Sequence, residues 1–137
     1  MFLLALGATS LATAFDLRSR RIPNAIPGCL LCCVIVLTAV GLHPLGWRQA
    51  AFGLVVAALL TLPLFRLGWL GGGDVKLAIA LGPALGLLPF LAFVAGTSVF
   101  GGVLALLARR RGESKLAYAP AMLLGLLALL PLQWLQG

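Results

Sequence analysis

Apolar residues run along this chain in long stretches, and the polar positions fall almost entirely in short breaks between them. Reading the stretches between breaks predicts six helices, at about 2–16, 25–42, 48–66, 74–88, 89–108 and 117–135. Proline and glycine supply most of the breaks: Pro23-Asn24, Gly41 to Gly46, Gly68 to Gly73 and Pro83 to Pro89. The last break, Arg109 to Lys115, is cationic. A membrane helix needs roughly 20 apolar residues to cross the hydrocarbon core, and most of the stretches reach or approach that length. The expected architecture is an all-α membrane protein, a bundle of about six transmembrane helices forming one domain over residues 1–137.

Composition agrees with a bilayer as solvent. Hydrophobic residues make up 62% of the chain and charged residues 9%, where a soluble domain carries roughly 25% charged. The net charge of +7 would suggest nucleic acid in a soluble protein, but here the cations cluster between apolar runs, as topology determinants do. Assigning the loops alternately to two sides puts Arg18, Arg20, Arg21, Arg66, Lys76, Arg109, Arg110, Arg111 and Lys115 together, with Arg48 opposite. The positive-inside rule then makes the first group cytoplasmic and both termini extracytoplasmic, with no nucleic acid among the partners. Met1 to Phe15 lacks a basic leading segment, so it reads as a retained first span and not as a signal peptide. Cys29, Cys32 and Cys33 lie inside an apolar run and have no second half to complete a zinc site, so they read as small buried or lipid-facing residues.

All three acids, Asp16, Asp74 and Glu113, fall on the cytoplasmic side of that assignment. Helices 1 and 4, which carry the aspartates, look short, about 15 residues or some 22 Å. That would draw Asp16 and Asp74 slightly below the membrane surface, with local thinning or a water-filled notch. Ionisable residues at membrane helix ends are functional candidates, although Asp16 followed by arginines also fits a solvated ion cluster. The segment Gly71-Gly72-Gly73-Asp74-Val75-Lys76-Leu77 is more specific. Three glycines before an acid let backbone approach closely and leave main-chain groups for an extended peptide, where a plain turn needs only one. The lone His43 sits in a loop on the far side from the acids and reads as an ordinary loop residue. The chain has no His-Glu-x-x-His motif, and neither Ser98 nor Ser114 is supported as a nucleophile. If the protein hydrolyses anything, two aspartates are its equipment. Carboxylates sharing a site cannot both ionise cheaply, so the pair can act as base and acid on a water and a peptide carbonyl. Helix polarity favours charge on Asp74, at a helix start, and a proton on Asp16, at a helix end, with Arg18, Arg20 and Arg21 opposing the second half of this.

Asp16-Leu17-Arg18 with Arg21-Ile22-Pro23-Asn24, then Gly71 to Leu77, and more weakly Tyr118-Ala119-Pro120-Ala121, resemble the type IV prepilin peptidase family of GxGD-type aspartic proteases. The order and separation of the first two segments match as well. The resemblance implies a membrane-embedded endopeptidase that removes leaders from pilin or pseudopilin precursors at the cytoplasmic face of the bacterial inner membrane. Asp16 and Asp74 fall on its catalytic aspartates. Gly71, Gly72, Gly73 and Lys76 then become substrate-binding or site-shaping positions. A cation for a substrate glutamate could come from Lys76, Arg20 or Arg21, each of which also fits a topology charge or lipid anchor. Pro23 and Asn24 are expected to shape entry into helix 2. Membrane lipids are the other expected partners, and no metal or organic cofactor is implied. Larger members carry an N-terminal methyltransferase segment with paired Cys-x-x-Cys motifs, which this sequence does not contain, so it is similar to the short peptidases of tight-adherence pilus systems.

The principal rival is a transporter or channel subunit using Asp16 and Asp74 for cation or proton binding. It predicts acids near the bilayer midplane and a polar path through the bundle. An inactive assembly partner in a pilus machine is a third reading.

Overall fold

The computed structural model describes residues 1–19, 21–112 and 119–131. Among these residues it contains six α-helices: α1 (Phe2–Ser19), α2 (Ala25–Ala39), α3 (Gly46–Arg66), α4 (Gly72–Leu85), α5 (Leu87–Arg110) and α6 (Ala119–Leu127). Order and number follow the hydrophobic pattern; several boundaries do not. α1 continues to Ser19, beyond Asp16, and is 18 residues long, so the helix bearing that residue is not short, and α2 stops at Ala39 before the predicted end. The expected last helix reaches beyond the described residues at both ends.

Most hydroxyls inside the helices are satisfied without leaving them, the exception being Thr97 Oγ1, buried in α5 with no hydrogen-bond partner among the described residues. Thr9, Thr13, Thr38 and Thr61 each donate to the carbonyl four residues earlier, at 2.6–2.8 Å. Ser98, far from any nucleophile's setting, does the same to Val94 at 2.8 Å. This back-bonding lets a polar side chain sit in an apolar medium at little cost.

α4 is the hub. It packs against α1, α2, α3 and α5, and Val75, Leu77, Ala78 and the whole run Ala80 to Leu85 are buried. A helix buried nearly all round reads as apolar all round, and its 14 residues reach only about 21 Å. Surrounded by protein, α4 can be short without exposing its ends to lipid. α3 approaches it closely because Gly53 and Gly82 face each other, and a methyl on either would run into the other's backbone.

The joint between α4 and α5 is Gly86 alone, at φ 79° and ψ 177°, a conformation open to glycine and strained for other residues. The α2–α3 loop clamps this joint. His43, expected to be an ordinary loop residue, is 5% exposed. Its Nε2–H donates to the Pro83 carbonyl at 3.1 Å, and its Nδ1 accepts from the Leu45 N–H at 3.1 Å. Pro83 lies in the last turn of α4, so His43 satisfies a carbonyl that the helix itself leaves orphaned.

Among the described residues two helices, α3 and α5, are long and apolar enough to cross a membrane. Phe52, Val55 and Leu59 on α3 and Val99, Val103 and Leu106 on α5 are at least half exposed, an apolar surface of the kind that meets lipid. An apolar groove of about 420 Å³ lies between α1 and α2, touching Leu4, Leu11, Ile26 and Cys29. The cysteines are free and exposed.

Candidate active site

The chain enters α4 through Gly71, in extended conformation, with Gly72, Gly73 and Asp74 forming the first turn. Asp74 reaches back to accept a hydrogen bond from the Gly71 N–H, the acidic half of a capping box. This turns the carboxylate toward the glycines. Its other oxygen, Oδ1, is shut off from solvent with no hydrogen-bond partner among the described residues. Asp16, at the start of the last turn of α1, is 8% exposed.

The two aspartates, 58 positions apart in the chain, line one pocket of about 290 Å³ together with Arg21, Ile22, Gly71, Gly72 and Gly73. They are close enough for the charge of Asp16 to act on Asp74. Two carboxylates sharing a pocket repel each other when both are charged. Helix polarity alone, which would put the charge on Asp74, is therefore an incomplete guide, because it takes no account of the shielded Oδ1.

Each glycine before Asp74 has a different neighbour. A Cβ on Gly73 would lie 3.0 Å from Ile22 Cβ, and one on Gly71 would lie 3.1 Å from Asp74 Oδ2. One on Gly72 would make ordinary contact with Phe65 at 3.7 Å. Bare backbone is therefore needed at the first and third positions. Ile22, which sequence reasoning did not single out, forms the wall opposite Gly73.

Lys76 is not part of the pocket lining. Two residues after Asp74, it points to another side of α4 and donates to Asn24 Oδ1 at 3.0 Å. Arg21 is the cation that does line the pocket. Arg20, Tyr118 and Glu113 lie outside the described residues.

Among the described residues, no cluster of three or more His, Cys, Asp or Glu side chains could hold a metal ion. What the site brings together is a pair of carboxylates, a stretch of bare backbone and an arginine. Neither a curated protein nor a solved structure gives a significant match to the chain. The model of the type IV leader peptidase family matches residues 3–106, a span that holds Asp16, Asp74 and every residue lining their pocket, and the chain belongs to that family.

Proposed function

We propose that this protein is a membrane-embedded aspartic endopeptidase that removes the leader from type IV pilin-like precursors at the cytoplasmic face of the bacterial inner membrane. Family membership makes it a leader-peptidase-type protease acting on a protein substrate. The observation that carries the aspartic mechanism is the convergence of Asp16 and Asp74, from separate helices, on one pocket floored by Gly71 to Gly73.

In this mechanism the precursor lies extended across the glycines, whose main chain carries no side chain to obstruct it. The ionised carboxylate of the pair takes a proton from a water held between the two aspartates. The protonated carboxyl gives its proton to the carbonyl oxygen of the scissile bond as the water oxygen attacks the carbonyl carbon. The tetrahedral diol collapses when one carboxyl protonates the leaving nitrogen and the C–N bond breaks, while the other carboxylate takes a proton from a diol hydroxyl as the carbonyl re-forms, which returns the pair to its singly protonated state. The substrate's apolar segment stays in the bilayer beside the bundle while its leader comes from the cytosol. The six helices form a six-span bundle with termini on the opposite side. Arg18, Arg66, Arg109 and Arg110, in the last turns of α1, α3 and α5, support that orientation.

The transporter reading is not favoured. It needs acids at mid-membrane, whereas Asp16 and Asp74 occupy helix ends. Co-expression with a pilin precursor, followed by gel shift and N-terminal sequencing, tests the proposal. The expected product begins just after the leader, ahead of the apolar segment. An uncut precursor with the protein present in the membrane would count against it.

A further inference from the structure

The aspartates come from helices that have no short covalent link, so something must fix α1's end against α4's start. Four observations locate it in the segment 21–24. Lys76 Nζ donates to Asn24 Oδ1 at 3.0 Å, across 52 positions of chain. Asn24 is the N-cap residue of α2 and its side chain makes no capping hydrogen bond, because the Ile26 N–H already donates to the Pro23 carbonyl and Pro27 has no N–H to cap. Gly73, three residues before Lys76 and so on the same face of α4, lies against Ile22. Arg21 and Ile22 themselves form part of the wall of the aspartate pocket. One face of the first turns of α4 is thus covered by the α1–α2 loop, fastened polar at Asn24 and apolar at Ile22.

We propose that the Lys76–Asn24 hydrogen bond is a latch that holds the α1–α2 loop on α4 and thereby sets the position of Asp16 relative to Asp74. Lys76 is on this account a positioning residue. It contacts neither the reacting atoms nor the substrate, and its effect passes through Asn24. The proposal rests on the aspartic-protease reading of the same pocket. Asn24 caps no free N–H of α2, so replacing it by alanine removes the fastening without removing a cap.

The test is a double-mutant cycle on the purified full chain in lipid vesicles with a pilin precursor, using Asn24→Ala, Lys76→Met and the pair. kcat and KM are measured together with hydrogen exchange at the amides of Arg21, Ile22 and Asn24. Each single variant is expected to lower kcat about two- to fivefold, the loss of roughly one solvent-exposed hydrogen bond, with KM little changed and faster exchange at those amides. The double variant should be no worse than the weaker single, and Lys76→Arg, which keeps a donor, should recover most of kcat. Multiplying effects, unchanged exchange, or a rise in KM for Lys76→Met that Asn24→Ala lacks would each overturn the latch. The exchange measurement decides even for a variant too unstable to assay. Absence of cleavage by the unaltered protein would instead sink the protease reading, with the exchange result still judging the latch.

Discussion

At the residue scale, the three glycines before Asp74 are not equivalent. A methyl on Gly73 would force Ile22 back by a few tenths of an ångström, and one on Gly71 would crowd the Asp74 carboxylate it helps to hold. Displacements of that order at a reacting centre cost about tenfold or more in rate. Gly73→Ala and Gly71→Ala are therefore expected to lose about tenfold in precursor cleavage, while Gly72→Ala retains near-normal activity in the same assay. Equal losses at all three positions would contradict the assignment of neighbours. The sequence already marked this segment, because three glycines exceed what a turn requires. It could not single out Ile22, whose role exists only because a loop some fifty positions away folds onto α4.

At the element scale, α4 is held from both sides. Gly82 admits α3 at backbone contact, so Gly82→Ala should cost about 1–3 kcal/mol, the usual penalty for overpacking, read as a lower midpoint in denaturant titration. At the far end of α4, the Nδ1 of His43 accepts from Leu45 and its Nε2–H donates to Pro83, an arrangement only the neutral ring can make. Burial, partly opposed by the Pro83 carbonyl, holds its pKa below the ordinary 6.5. Because the folded-state pKa is the lower one, the unfolded chain binds the proton first. The stabilisation is full above about 6.5 and is lost as pH falls from there through the folded value. Melting temperatures between pH 7.5 and 5 should fall more steeply for the unaltered protein than for His43→Asn, and parallel curves would refute this clamp. Nothing in the sequence distinguished His43 from a loop residue. Its partner is a carbonyl forty positions away, freed by a helix end that hydrophobic patterning places only loosely. Likewise α1 ran past its predicted end because Arg18 and Ser19, polar enough to suggest a break, are good enough helix residues to continue one.

At the scale of the whole molecule, hydrophobic periodicity was sufficient for six helices in order, since each apolar stretch is bounded by glycine, proline or charge. Which helix becomes the hub was not legible, because α4 is less apolar than α2 and no more so than α5, and its centrality follows from packing at small residues such as Gly53, Ala57 and Gly82. The site was more legible than the packing. Asp16 and Asp74 are two of only three acids in the chain, and the fold brings them to one pocket. The direct test of that pairing is the rate of precursor cleavage by the purified protein carrying Asp16→Asn or Asp74→Asn, each checked for a normal melting temperature. Both substitutions keep size and hydrogen bonding while removing the ability to shuttle a proton. The account predicts that either one alone reduces cleavage by at least about a thousandfold, since acid–base catalysis by the pair needs both members. A folded variant that still cleaves within about tenfold of the unaltered rate would contradict it.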